Sequence, residues 1–461
     1  MTVRKTLLAI TLLALFTPIA SSTVYDVGPG MTYINVGDVP WESIAPGDTV
    51  NIYYRSTPYY EKFCIAVAGT AANPVTVRGV PGPNGELPIL DGNGATTRLA
   101  LDYYNDQRCV IKVGGGAVPP DIYTTFITFE NLEIRSARPP YQYYDDAGTL
   151  SSYVDSAGSF YVCYGSDITV RNCILHDHGN GFFVASGNTV VSRNILVEGC
   201  YIYDNGNDGS IYEHNSYCAC IGITYQYNHY GPLRAGCAGN ALKDRSADMV
   251  VRYNWIESGN RQLDLVNGED SKVITSDPLY NMSWVYGNIL IEDMMGNRQM
   301  VHFGNDGGSP KTARKGPLYF YNNTCVSTRT DANTLFRSDV TGCILDFRNS
   351  IFETSTTAVV ELSSDDSKAT INMTHCWLNT GWVKGGAILN DDGTSITGDV
   401  PGFVDAANQN FRLRFDSPCV DAGGPLNSGA SMYPVTMQYV EHCDAEARPV
   451  DETIDIGAYE Y

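Results

Sequence analysis

Helical periodicity is missing from this sequence. Beyond Ser22 no stretch repeats apolar residues at the helical period over several turns, which argues against an α/β globule. Long apolar runs are also absent: the one at Leu7–Phe16 is shorter than the roughly 20 residues a membrane span needs. Basic residues are few, with 30 Lys and Arg against 51 Asp and Glu. A net charge of −21 makes nucleic acid and acidic lipid poor partners. Histidine is scarce too, at seven in the chain, and no CxxC pair or Cys/His spacing suits zinc.

What the chain does contain is a short pattern that returns. It reads apolar–polar–apolar–polar–x, then a small or amide residue. Examples are Ile168-Thr-Val-Arg-Asn-Cys173 and Met249-Val-Val-Arg-Tyr-Asn254. Aligned on the sixth position, the copies fall at Leu132, Cys173, Cys200, Asn228, Asn254, Asn288, Asn323, Ser350 and Cys376. Most neighbouring copies lie close to one common spacing, and three steps (Leu132 to Cys173, Asn254 to Asn288, Asn288 to Asn323) are longer. A period of roughly 26 with such excursions predicts stacked coils of one chain. Period-two alternation makes the repeating elements strands, and Gly, Asn and Asp after each copy supply the turns. An amide at the sixth position can bond its equivalents one coil above and below.

The start, with Arg4 and Lys5 before a short apolar core and an Ala20-x-Ser22 exit, predicts a secretory signal peptide over 1–22. Removing it takes the net charge from −21 to −23. Thirteen cysteines fit an oxidising compartment. Cys173, Cys200 and Cys376 are expected as buried ladder residues, while Cys218, Cys220, Cys237, Cys419 and Cys443 are expected in loops as disulfide candidates. Three zones follow the leader: 23–121 as N-terminal cap and first coils, 122–380 as the central ladder, and 381–461 as C-terminal coils and cap.

Several blocks carry a family resemblance. Tyr25-Asp-Val-Gly-Pro-Gly30, Pro46-Gly-Asp-Thr-Val50 and Leu90-Asp-Gly92 open the chain, and Asp421-Ala-Gly423 and Asp455-Ile-Gly-Ala-Tyr-Glu460 close it. With these motifs the sequence resembles secreted right-handed parallel β-helix proteins of the pectate-lyase-like superfamily. The resemblance implies an all-β, single-stranded solenoid of about ten coils with caps at both ends. Glu213-His-Asn215, Gly239-Asn-Ala-Leu-Lys-Asp-Arg-Ser246 and Leu263-Asp-Leu-Val-Asn-Gly-Glu269 resemble a subgroup of polysaccharide-degrading enzymes in that superfamily. It therefore implies a soluble extracellular, cell-surface or periplasmic protein with a polysaccharide partner, expected to work as a monomer. Calcium is the one cofactor the resemblance allows, and no residue is assigned to a metal. The alternating pair His176 and His178 reads as turn residues.

Cleaving a uronate polymer by β-elimination requires neutralising the C5 carboxylate, removing the C5 proton and protonating the leaving oxygen. Lys243 is the candidate base, with Arg245 on the same face two positions along. Asp264 follows Lys243 by close to one coil, and His214 and Asn215 precede it by about one coil. Lys243, Arg245, His214 and Asp264 are thus the candidate catalytic group. Asn215, Tyr225, Tyr230, Asn267 and Glu269 are candidates for holding sugar, the tyrosines as stacking platforms. A comparison with alginate-lyase and chondroitinase-B-type enzymes breaks down: their lysine falls on Arg245, their arginine on Val266, and their acidic calcium ligands near Ala238 and Asn240. Two alternatives stay open. A glycoside hydrolase would depend on Asp264 or Glu269; a non-catalytic carbohydrate-binding surface protein would depend on tyrosines.

Overall fold

The protein is described by a computed structural model covering residues 22–338, 340–354, 359–449 and 453–461. The signal peptide expected over 1–22 therefore lies outside the described residues, apart from Ser22. Three long sheets run the length of the molecule. The first has thirteen strands, from Val24–Val27 to Ile388–Asp391, and the second eleven, from Ile89–Asp91 to Ile396–Gly398. The third also has thirteen; its one antiparallel pair is Gln142–Tyr144 with Leu150–Ser152 at one end. Each turn of chain contributes in order to the first, second and third sheets, and every strand pairs with its equivalent about one coil away. This is a right-handed parallel β-helix. Among the described residues the α-helix is confined to Lys272–Thr275, so no helix is long and apolar enough to cross a membrane.

The repeating pattern explains the coil. Its third position points inward in the first sheet, giving the column Val170, Val197, Tyr225, Val251, Val285, Phe320 and Phe347. Every member of that column is 0 % exposed. The fifth position turns the chain in the left-handed region, as at Asn172, Tyr227, Tyr253 and Asn322 (φ 53°, 59°, 54° and 49°). Asn and Gly tolerate that conformation best.

The sixth position then enters the interior, where the amides form a continuous ladder. The Asn228 backbone N–H donates to Asn254 Oδ1 at 3.0 Å, Asn254 to Asn288 Oδ1 at 3.0 Å, and Asn288 to Asn323 Oδ1 at 3.0 Å. Each amide is fully buried, so its hydrogen bonds must be met inside the stack.

The thiols do not pair: all thirteen cysteines are free. The expected loop disulfides fail because Cys218 ends a strand and faces the interior in a column with Val184, Asp244 and Leu265. Cys220 and Cys419 are likewise fully buried. Cys237 and Cys443 do lie outside the strands, and they are free as well.

The last segment does not continue the stack. Two hairpins, Phe403–Asp405 with Asn410–Leu413 and Met437–Val440 with Asp444–Ala447, lie against the outside of the coils. Trp284 donates to Gly429 O at 2.9 Å, Tyr321 to Tyr433 O at 2.7 Å, and His442 meets His229 at 2.7 Å. The tail thus runs back along the flank as far as the coils of His229 and Tyr201, packing its own Phe403 and Phe411 with Trp255 and Trp377 of the second sheet.

Candidate active site

The third sheet carries an outward row in which Tyr217, Lys243, Asp264 and His302 are register partners on four successive coils. Strand Leu242–Asp244 turns Leu242 and Asp244 into the core, which by alternation sets Lys243 outward. Just upstream, Gly239 lets the chain pass so close to Glu213 that a β-carbon would overlap the Glu213 carbonyl. The row opens on a groove of about 520 Å³ lined by His214, Tyr217, Asn240, Lys243, Arg245 and Arg261 among others, with Tyr212 at its mouth.

Asp264 is the anchor of the groove. It is 0 % exposed, and its oxygens meet Lys243 Nζ at 2.9 Å, His302 Nδ1 at 2.8 Å, Asn240 Nδ2 at 2.9 Å and Arg261 at 3.6 Å. Burial alone would raise its pKa, but the His302 hydrogen bond and the Lys243 charge outweigh burial and hold the carboxyl well below the usual carboxylate range. Lys243 also bonds Asp306. Arg245 reaches Glu269 at 2.9 Å and Asp306 at 3.3 Å, while its Nε donates to the Tyr217 hydroxyl at 3.0 Å. Asp306 and Glu269 are about one-third exposed, so they form the solvent-facing rim of the ion-pair cluster.

His214 is 2 % exposed, and burial followed by the Lys243 charge pushes its pKa down to about 3. Its Nδ1 accepts the Asn240 backbone N–H at 2.9 Å. A neutral ring whose Nδ1 is an acceptor carries its proton on Nε2, so His214 is a fixed donor and not a base.

Of the residues expected at the site, Lys243, Arg245, Asp264, His214 and Glu269 do converge on this groove. Four others do not face it. Tyr225 is interior, donating to Asp244 Oδ2 at 2.9 Å, because it holds the inward third position of its repeat. Tyr230 is interior for the matching reason, lying in the column of Leu175, Ile202 and Ile256. Neither can stack on a sugar. Asn215 is buried at a corner, where it accepts from Asn205 at 2.9 Å and donates to Gly231 O at 2.9 Å. Asn267 sits beneath the rim and accepts the Asp306 N–H at 3.0 Å, shaping the loop but not lining the groove.

Tyr217, Asn240, Arg261, His302 and Asp306 are additions that the sequence reading missed. Tyr217 was within reach: it precedes Lys243 by the same step that separates Asn228 from Asn254. His302 and Asp306 lie beyond longer excursions that no fixed period predicts.

Asp264, His302 and Asp306 place one ligand atom each within 4.8 Å of one another. They do not fit calcium, which takes six to eight oxygens. Here one donor is an imidazole already bonded to Asp264, and the Lys243 ammonium bonds both carboxylates.

No protein-family model matches the sequence, and no curated protein matches it. Among solved structures, the pectate lyase Pel9A is similar over 96 % of this chain and 97 % of its own, at 13 % identity and a TM-score of 0.49. A rhamnogalacturonan lyase is similar over 89 % and 98 %, at 13 % identity and 0.43. An alginate lyase from Paenibacillus sp. str. FPU-7 is similar over 77 % and 92 %, at 11 % identity and 0.39. The likeness is one of fold. At such identities the chemistry has to come from the groove itself.

Proposed function

We propose that the protein is an extracellular polysaccharide lyase that cleaves a uronate-containing glycan by β-elimination in the groove around Lys243. The observation that carries this reading is the clustering of Lys243, Arg245 and Arg261 in one groove, where two of the carboxylates that balance them, Glu269 and Asp306, are about one-third exposed and so open to replacement by a substrate carboxylate. Local bases in an acidic protein are suited to an acidic polymer.

In this reading the substrate carboxylate displaces Asp306 from Arg245, whose planar fork is held in place by Tyr217 and the Asn267 carbonyl. Lys243, an ammonium while it pairs with Asp264 and Asp306, first gives up one proton to solvent, and the resulting amine takes the C5 proton. The electron pair left behind forms the C4–C5 double bond as the C4–O4 bond breaks. The departing O4 takes its proton from the Tyr217 hydroxyl, whose phenolate the Arg245 Nε–H stabilises. His214 Nε2–H donates to a sugar oxygen.

The hydrolase reading needs a carboxylic acid that holds its proton near neutrality. Against it, Asp264 is fully enclosed with its pKa held low, and Glu269 is ion-paired with Arg245 at 2.9 Å. The binding-only reading loses two of its platforms with Tyr225 and Tyr230 inside the core.

Digestion of a panel of acidic polysaccharides, read by ultraviolet absorbance, tests the proposal. Unsaturated uronate products are expected, with Lys243→Ala and Lys243→Arg each losing roughly a hundredfold or more, since arginine keeps the charge but is a poor base. Reducing ends without unsaturation, or a Lys243→Arg variant close to wild type, would refute it.

A further inference from the structure

A second cavity, of about 580 Å³, opens on the outward face of the second sheet, beneath the first C-terminal hairpin. Its floor is the column Ile291, Val326 and Glu353 on three successive coils, and Phe411 of the hairpin forms one wall. Glu353 differs from the other polar groups in the cavity. Asn379 is occupied, accepting the Thr354 N–H at 2.6 Å and donating to the Asp399 carbonyl at 3.2 Å. Glu353, only 4 % exposed, has no hydrogen bond to any described residue, and its Oε2 is wholly enclosed. Glu292, one position beyond Ile291 in the neighbouring row, is by contrast satisfied by the Ser327 hydroxyl at 2.9 Å.

An enclosed carboxyl without a donor costs free energy in any protein. Burial alone pushes the Glu353 pKa up to about 7. Among the described residues no Lys, Arg or His lines the cavity, and its other ionisable group is the exposed Asp399. The cavity therefore combines an apolar floor, an unanswered carboxyl and a second acid at its edge. Those features select a ligand that brings its own positive charge and a hydrocarbon body.

We propose that this cavity binds a small organic cation, an aliphatic ammonium or guanidinium, whose head pairs with Glu353 and whose chain lies on Ile291, Val326 and Phe411. The site is separate from the Lys243 groove and does not depend on the activity assigned there.

Titration calorimetry of the full chain with butylguanidinium, butylammonium and neutral butylurea tests it. One-to-one binding of the two cations at millimolar or lower concentration is expected, with none of butylurea. Glu353→Gln should weaken the cations tenfold or more, and Ala407→Trp, which fills the cavity without touching the carboxyl, should abolish binding. Lys243→Ala should leave it intact. The sign of the pH dependence follows from the carboxyl. A cation binds the ionised form, so affinity should fall about tenfold for each pH unit below about 7 and level off above it. Equal binding by Glu353→Gln, binding of butylurea comparable to the cations, affinity that increases in acid, or no binding of either cation would each overturn the proposal.

Discussion

Asp264→Asn separates a structural anchor from a chemical group. The substitution keeps the volume but leaves one acceptor oxygen where two were used. Either His302 Nδ1–H or the Lys243–Asn240 pair then faces an amide N–H, and the negative charge between Lys243 and Arg261 is gone. Removing one partner of a buried ion pair costs about 3–5 kcal/mol, and because Lys243 keeps Asp306 the lower end, about 3 kcal/mol, applies. Urea unfolding followed by tryptophan fluorescence should show a lower midpoint.

The pH dependence is a second constraint on the same variant. The folded pKa of Asp264 lies below its usual 3.8, so its contribution is complete above about pH 4 and is lost as pH falls toward the folded value. The gap between wild type and variant should be flat from about pH 5 to 8 and close in stronger acid. A variant within about 0.5 kcal/mol of wild type at neutral pH would refute the reasoning. So would a gap that persists in acid.

Other expectations follow from the same geometry. Asn254→Ala removes an amide that donates to Tyr225 O, Arg252 O and Asn288 Oδ1 and accepts from Asn228, and should cost about 3 kcal/mol in urea unfolding without altering groove chemistry. Glu292 is pushed up to about 7 by burial, so its stabilising protonated form is lost as pH rises. Glu292→Gln should match wild type below about pH 4.5 and exceed it in thermal stability at pH 8. Asp306→Asn frees Lys243 and Arg245 of a partly exposed competitor worth about 1 kcal/mol, so KM for a uronate oligomer should fall about fivefold; a rise would show that Asp306 positions Lys243 instead.

The stack was legible because its physics is local and repeated. Each copy names an inward apolar residue, a turn residue and a buried ladder residue, and all nine ladder positions are 1 % exposed or less. The disulfide expectation failed on the same physics. Cys218, expected in a loop, occupies an inward strand position beside Val184 and Asp244. The return of the tail along the flank had no periodic signal. It rests on single long-range contacts, such as Trp284 to Gly429, that no spacing rule contains.

The site was legible only where the coil length was regular. Counting one coil from Lys243 finds Asp264, because that coil has a short turn, and counting back by the Asn228-to-Asn254 step finds Tyr217. Counting back two or three positions further lands on the corner residues Asn215 and His214, and that small difference decides between a strand face and a turn. The same rule sorts the tyrosines. Tyr217 and Tyr225 lie close in sequence, but Tyr225 holds the third position of a repeat whose equivalents are valine and phenylalanine, and so it points inward. Tyr217 precedes Lys243 in an outward row. A polar or aromatic residue in a solenoid is therefore available to a ligand according to its position within the repeat, and composition or local richness cannot replace that test. Asp306 escapes even this rule, because it sits in a Gly-rich excursion between strands. Asn267, one coil earlier, anchors that excursion by accepting the Asp306 N–H on its Oδ1.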